Sequence, residues 1–183
     1  MPTFVTHAIA GAAIAQVLAP CSRRGSLTAA AAVCAMLPDI DVVGLDLGVP
    51  YDGLFGHRGF THSIFFAGVV ALAVALPLWK RSRTGESWPV FACILAATLS
   101  HGILDALTNG GLGVAFFAPF SDRRYFFPVT PIEVSPLRAS VFLSVRGVSV
   151  LSSEIVWVWL PAAIITVFAW LIRCKPGSGA RSG

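Results

Sequence analysis

The amino-acid sequence predicts an all-α fold, a polytopic transmembrane helical bundle of about five membrane helices, two of them short, with an interfacial outer loop segment. Of its 183 residues, 56% are hydrophobic and only 12% are charged, and the mean hydropathy is +0.78. Soluble domains carry about 25% charged residues, so this chain needs lipid as part of its solvent. Two further observations predict this fold: apolar runs long enough to span a membrane, and clusters of basic residues beside those runs.

Five apolar runs predict the membrane helices in chain order. A spanning helix needs about 20 apolar residues, and three runs approach this length, at 64–79, 88–107 and 155–172. Two earlier runs, 4–19 and 27–37, are shorter and rich in alanine and glycine, which is typical of helices packed inside a bundle. We expect one membrane-embedded domain over 1–175 and a flexible tail over 176–183.

Basic residues indicate how the bundle is oriented. With five spans, three basic segments fall on the same side of the membrane: Arg23 and Arg24, then Lys80, Arg81 and Arg83, then Arg173 and Lys175. The positive-inside rule makes that side cytoplasmic. The C-terminus is then cytoplasmic, whereas the N-terminus, the 38–63 loop and the 108–153 segment face the periplasm or the exterior. These clusters suit juxtamembrane anchoring, and we expect no nucleic-acid partner.

The 108–153 segment has two distinct parts. A turn signal at 109–111 precedes a cluster of aromatic residues over 116–127, a composition that suits a loop lying in the lipid interface. Residues 139–151 alternate partly between apolar and polar side chains. This second part fits either a short hairpin or an interfacial helix, and the sequence does not decide between them.

All four histidines and three aspartates are predicted to meet at the outer end of the bundle. His101 and Asp105 are one helical turn apart and share a helix face, within an otherwise apolar run. Ionisable groups at membrane depth are costly unless they are paired, bound to metal or facing a polar cavity. The complete set of candidate metal ligands is His7, Asp39, Asp41, His57, His62, His101 and Asp105.

Imidazole and carboxylate together bind zinc, manganese or iron, and zinc is the metal we expect. Seven groups exceed the four ligands usual for one zinc. Either two ions are bound, or some of these residues orient ligands from outside the coordination sphere. Asp39 follows a proline and also suits a helix cap.

Further polar residues are candidates for contact with substrate. The planar guanidinium of Arg58 suits a phosphate or a carboxylate. Thr61 and Ser63 could hydrogen-bond either a ligand carboxylate or the substrate. Arg123 fits a phosphate contact or a lipid-headgroup anchor, and Glu154 fits an interface residue or a site group at the outer end of the last span.

Four motifs in this order resemble a known family. They are TH at 6–7, PDID at 38–41, HRGFTHS at 57–63 and HGILD at 101–105, and they resemble the YdjM/YbcI-like family of bacterial inner-membrane metal-dependent hydrolases. The resemblance covers nearly the whole chain. It implies a multi-pass inner-membrane hydrolase with a divalent metal held by the seven histidines and aspartates. The motif set also resembles zinc-dependent phospholipase C-like enzymes, which have His/Asp clusters on helices.

The expected function is therefore metal-assisted hydrolysis of a phosphoester or ester in a lipid or lipid-linked substrate at the outer membrane face. Asp39 or Asp41 would act as base, and Arg58, with Arg123, would neutralise a phosphate. Two rivals remain: a transporter that moves a metal or a proton, and a membrane protein that binds metal without turnover. The substrate, the number of metals and the oligomeric state are left open.

Overall fold

The computed structural model describes residues 1–81, 87–135 and 145–173. Within these ranges the chain is helical with no strands, apart from two isolated bridges that pair Thr108 with Ile132 and Val114 with Tyr125. The all-α prediction is therefore confirmed. The helices are α1 (Phe4–Leu18), α2 (Arg24–Met36), α3 (Val42–Asp46), α4 (Ile64–Arg81), α5 (Ser87–Ala106), α6 (Val145–Glu154) and α7 (Leu160–Arg173).

Three helical stretches are long and apolar enough to cross a membrane, namely Cys21–Asp46, Ser87–Ala106 and Val145–Arg173. Two shorter apolar helices, Phe4–Leu18 and Ile64–Pro77, complete the expected five. The helix predicted at 27–37 is α2, Arg24–Met36, but the helical stretch that contains it was expected to stop at Pro38 and does not. The stretch continues past Pro38, because this proline lies in the first turn of the 3-10 helix Leu37–Asp41, where a missing N–H costs little.

Small residues bring the first two helices unusually close together. A Cβ on Gly11 would lie 2.5 Å from the carbonyl oxygen of Ala31, so only glycine fits there. Fully buried alanines continue this core through the other central helices, including Ala71 in α4 and Ala97 in α5. Close packing of small residues is how helices associate where lipid removes the hydrophobic driving force.

The last span lies at the edge of the bundle. Only 17% of its most apolar window is buried inside the protein, against 44% for Ser87–Ala106. It runs as α6, a π-helical segment Ile155–Trp159 and α7. For residues 139–151 the sequence allowed a hairpin or a helix, and the described part of this segment is helical, in α6. Residues 139–144 and the predicted 176–183 tail lie outside the described residues.

Candidate metal centre

Four parts of the chain bring the predicted ligands together at one end of the bundle. His7 lies in α1, Asp39 and Asp41 lie in the 3-10 turn after α2, and His101 with Asp105 lies near the end of α5. The loop between α3 and α4 supplies the other two histidines, His57 and His62. The sequence therefore delivers these side chains from helix ends and turns that the packed core holds in place.

The first group of side chains, the inner set, consists of Asp39, His62, His101 and Asp105. One ligand atom from each lies within 4.8 Å of the others. The Nε2 atoms of His62 and His101 are 3.0 Å apart, and the Oδ1 of Asp39 lies 3.3 Å from the Nε2 of His101. The Oδ2 of Asp105 lies 3.4 Å from the Nε2 of His62. These atoms therefore converge on one point.

Both carboxylates of the inner set are buried without a hydrogen bond from the described part of the chain. This holds for the two oxygens of Asp39 and for the two oxygens of Asp105. A buried carboxylate without hydrogen bonds is strongly unfavourable, and of the two only Asp105 has an ion pair with an arginine, Arg58, at 3.0 Å. The arrangement is therefore incomplete as a protein-only structure and fits a site for a cation.

The tautomer of His101 also favours a cation. Its Nδ1 lies 2.7 Å from the carbonyl oxygen of Ala35. A carbonyl can only accept, so Nδ1 carries the proton and the lone pair of Nε2 faces the inner set. Such a bond from the far nitrogen to a carbonyl is typical of metal-binding histidines.

The second group of side chains, the outer set, consists of Asp41, His57 and Thr61. The Nδ1 of His57 lies 2.7 Å from the Oδ1 of Asp41. The Oδ2 of Asp41 accepts hydrogen bonds from the hydroxyl of Thr61 at 2.6 Å and from the backbone N–H of Arg58 at 3.2 Å. The carboxylate of Asp41 is thus satisfied by protein groups alone.

His62 joins the two sets through its two ring nitrogens. Its Nδ1 lies 3.2 Å from the Oδ2 of Asp41, while its Nε2 faces the inner set. Burial lowers the pKa of His62, but the neighbouring carboxylates of Asp105, Asp39 and Asp41 outweigh burial and raise it well above its ordinary value.

His7 lies beside the inner set without forming part of it. Its ring stacks on that of His101, with centroids 3.6 Å apart and planes inclined by 16°. Its Nε2 lies 3.4 Å from the Oδ1 of Asp105, yet neither ring nitrogen has a hydrogen-bond partner in the described chain. His7 thus packs against two members of the inner set and retains a free nitrogen toward Asp105.

The chain matches one known family over nearly its whole length. A family model described as "YdjM inner membrane protein" matches residues 1–176. The chain belongs to the YdjM family. It is also 39% identical over 175 residues to the inner membrane protein YbcI of Escherichia coli (strain K12), across 94% of this chain and 99% of the relative. No solved structure matches the chain.

In this member of the YdjM family, Arg58 lies behind the inner set. Its backbone has a φ of 66°, and its side chain is fully buried. The Nε lies 3.0 Å from the Oδ2 of Asp105, Nη1 donates to the carbonyl of Gly110, and Nη2 donates to the hydroxyl of Thr108. The guanidinium thus has no exposed atom for the predicted phosphate contact, and it offsets the charge of Asp105 instead.

Three other predicted site residues have different surroundings. Thr61 donates to Asp41 in the outer set, whereas the hydroxyl of Ser63 accepts from the backbone N–H of Phe66 and caps the start of α4. Arg123 is exposed, with its guanidinium 5.3 Å from the centre of the Tyr125 ring. Of these three, only Thr61 contacts the clustered histidines and aspartates.

Glu154 is fully buried and caps α1 from the far end of the chain. Its carboxylate accepts from the backbone N–H of Thr3 at 2.5 Å, from the hydroxyl of Thr3 at 2.7 Å and from that of Thr6 at 2.6 Å. Trp159 donates its indole N–H to the same Thr6 hydroxyl. A carboxylate is favourable at a helix N-terminus, and this one fixes the turn of α1 that carries His7.

Sequence reasoning missed the roles of Thr3, Thr6, Trp159 and Arg124. Arg124 donates to the carbonyl oxygens of His57, Tyr51 and Gly53 and so ties the loop of the outer set to the 107–135 segment. A threonine three residues before another at the start of α1 is a capping signal that the sequence did offer. The partners of Arg124 are backbone atoms, which leave no trace in a sequence.

Proposed function

We propose that this protein is a membrane-bound metal-dependent hydrolase that cleaves a phosphoester or ester bond in a lipid or lipid-linked substrate. The observation that carries the proposal is the inner set, in which two buried carboxylates without a hydrogen bond in the described chain face two imidazole nitrogens. Two carboxylates and two imidazoles are a common environment for a divalent metal in hydrolytic enzymes.

One ion, rather than two, fits the hydrogen bonding. Asp39, His62, His101 and Asp105 would hold it, with Arg58 fixing Asp105 from behind. The outer set contains metal-binding residue types, but the oxygens of Asp41 already accept from Thr61 and from a backbone N–H. We therefore assign Asp41 and His57 to orienting His62, as carboxylates often do behind a metal-bound histidine. Zinc is the metal we favour over manganese or iron.

A bound divalent metal would polarise the scissile group and lower the pKa of a water molecule. Asp39 is the general base in this proposal: one of its carboxylate oxygens would hold the metal, and the other, which has no hydrogen-bond donor in the described chain, would accept a proton. It accepts a proton from the attacking water, whose oxygen forms the new bond to phosphorus or carbonyl carbon. The bond to the leaving alcohol breaks, and that alcohol takes a proton from solvent. Asp41 is unsuited to this role, because its oxygens are occupied.

Arg123 is exposed, so of the two arginines predicted to contact a phosphate it is the one that remains available. Arg58 instead holds Asp105 in position. The basic clusters favour a site that faces the periplasm and a cytoplasmic C-terminus. Lipid is the expected partner, since the site lies at one end of the apolar helices, where headgroups would surround it.

Metal analysis of the purified protein tests this proposal first. We expect about one zinc per chain in the wild type, with less than about a tenth remaining in His62→Ala or His101→Ala. Asp52→Asn, in an exposed loop, is the matched control and should retain the full metal content. Full metal in both histidine variants would contradict the site.

Activity assays then test the reaction. The metal-loaded wild type should cleave a phospholipid or a lipid-linked phosphodiester, and a chelator should abolish cleavage. A protein that binds metal but cleaves none of these substrates, nor a carboxylic ester analogue, would contradict hydrolysis. Metal flux across proteoliposomes without cleavage would instead favour the transporter.

A further inference from the structure

The ligand atoms of the inner set are all closed off by the surrounding protein. The side chains of His62, His101 and Asp105 are fully buried. The side chain of Asp39 is 10% exposed, but both of its carboxylate oxygens are buried. In the described part of the chain, no ligand atom of the set is therefore open to a substrate, and part of the protein must move before a substrate can reach it.

Residues 51–57, which we call the cover, lie over His62. The ring of Tyr51 meets that of His57 edge to face, with centroids 5.5 Å apart, and the ring of His57 meets that of His62 in the same way at 5.4 Å. Tyr51 is half-buried, whereas His57 and His62 are buried. These rings lead from the protein surface to the inner set, so the cover separates His62 from the surface along this path.

A single arginine attaches the backbone of the cover to the neighbouring segment. Arg124 donates from Nη1 to the carbonyl of His57 at 2.9 Å, and from Nη2 to the carbonyls of Tyr51 at 3.3 Å and Gly53 at 3.2 Å. In the described chain, no other hydrogen bond joins the backbone of the cover to residues outside 48–60. The cover is thus held by this guanidinium and by the contact of the His57 ring with Asp41.

The segment that carries Arg124 is anchored independently of the cover. Tyr125 and Val114 exchange two backbone hydrogen bonds, of 2.9 and 3.0 Å, and the N–H of Phe127 donates to the carbonyl of Ala106 at the end of α5 at 3.0 Å. If the guanidinium changed its partners, the cover would therefore be freed while this segment stayed in place.

The guanidinium of Arg124 is suited to such a change of partners. It is half-buried, its three acceptors are neutral carbonyls, and it forms no ion pair with Asp52 or any other carboxylate of the described chain. A hydrogen bond to a charged acceptor is about twice as strong as one to a neutral acceptor, and the planar guanidinium fits a phosphate. Arg123, the next residue, is exposed and adds a second positive charge. A phosphate ester would therefore compete well against the carbonyls.

We propose that Arg124, together with Arg123, binds the phosphate ester group of the substrate, and that this exchange of partners releases the cover and opens the way to His62. In the orientation proposed above, both arginines face the outer leaflet, where phospholipid headgroups present such a group. Hydrolysis of that phosphate rests on the proposed function. The binding site and the release rest on the hydrogen bonds of Arg124 and on the burial beneath the cover.

Chemical modification of His57 measures whether Arg124 holds the cover. The purified wild type and Arg124→Ala would be treated with diethyl pyrocarbonate in maltoside detergent, and the carbethoxylation of His57 read from fragment masses. We expect about a tenfold rise in Arg124→Ala, because that factor corresponds to 1.4 kcal/mol and one lost bond from a charged group contributes about as much. Arg123→Ala is the matched control and should be modified like the wild type.

Arg124→Lys separates hydrogen bonding from charge. Lysine keeps the positive charge but lacks the fork that reaches three carbonyls, so modification of His57 should rise in this variant too. Circular dichroism would show that each variant is folded. Modification of His57 that is equal in the folded Arg124 variants and in the wild type overturns the proposal.

Added phosphate esters test the exchange of partners in the wild type itself. Glycerophosphocholine and a short-chain phosphatidylcholine would be added separately, with choline chloride as the control that lacks phosphate. We expect modification of His57 to rise several-fold in the wild type and to stay unchanged in Arg124→Ala, whose cover is already released. A response to both compounds means that the phosphate ester suffices, and a response to the lipid alone means that a membrane lipid is the source. No response to either, or an equal response to choline chloride, overturns the proposal.

The two proposals fail separately. If phosphate esters expose His57 through Arg124 but no phospholipid or ester is cleaved, hydrolysis is wrong and the phosphate site stands. If phospholipid is cleaved while His57 stays protected in Arg124→Ala and in the presence of phosphate esters, release of the cover is wrong and hydrolysis stands.

Discussion

The inner set and the outer set are built from the same residue types, and they differ in what surrounds their polar atoms. In the outer set, Asp41 accepts from Thr61 and from a backbone N–H and pairs with His57. In the inner set, Asp39 and Asp105 accept no hydrogen bond from the described chain, although Asp105 has an ion pair with Arg58. The comparison teaches that histidine and aspartate alone do not identify a metal ligand, because the unpaired atoms decide which set needs a cation.

Removal of an inner-set imidazole should have the largest effect on metal binding. His101→Ala removes a nitrogen whose lone pair faces the inner set. Loss of a residue that only orients a metal ligand lowers metal affinity by up to roughly 100-fold, and we expect a larger fall in this variant. Competition with a fluorescent chelator measures this. Affinity equal to that of the Asp52→Asn control would remove His101 from the site.

Changes in the outer set should weaken the metal without abolishing it. Asp41→Asn or His57→Gln would disturb the orientation of His62, and losses of such partners typically cost about 10–100-fold in metal affinity. The same chelator competition applies. Loss of one complete equivalent of metal from a protein that held two would mean that the outer set binds an ion of its own.

Metal affinity should depend on pH, because a metal that binds to the inner set must displace the proton on His62. The pKa of His62 is raised well above its ordinary value by the carboxylates around it, so its imidazole holds a proton more tightly than a free histidine before metal binds. Metal affinity should therefore rise with pH, up to the raised pKa, because each ion must displace this proton. Calorimetry in buffers of different ionisation enthalpy should detect the proton release. An affinity independent of pH would contradict the placement of His62.

The smallest effect on metal should follow from Glu154→Gln. The amide cannot accept from Thr3 and Thr6 as a carboxylate does, so α1 should lose about 1–3 kcal/mol of anchoring. Thermal unfolding in detergent should show a clear loss of stability, while the metal affinity should change less than in Asp41→Asn. A metal loss as large as that of His101→Ala would place Glu154 and α1 within the binding site itself.

Much of this architecture could be predicted from the sequence, for physical reasons. The low charge and the apolar runs require membrane helices, and the His101–Asp105 spacing requires a shared helix face. The length of the second span could not be predicted, because Pro38 reads as a helix end when in fact a 3-10 turn accommodates it.

The division of the site into an inner set and an outer set could not be predicted from the sequence either. The partners of Asp41 include a backbone N–H, and the burial of Arg58 depends on Gly110 and Thr108, which lie about 50 residues away. The cap that Glu154 provides joins the two ends of the described chain. Contacts between such distant segments are set by the packed fold and have no local pattern.

X-ray absorption spectroscopy at the metal edge of the zinc-loaded wild type tests the central claim most directly. We predict one ion bound by two imidazole nitrogens and carboxylate oxygens, as Asp39, His62, His101 and Asp105 would supply. A scattering shell from a second metal at about 3.5–4 Å, or a first shell without imidazole, would contradict the assignment of the inner set as the single metal site.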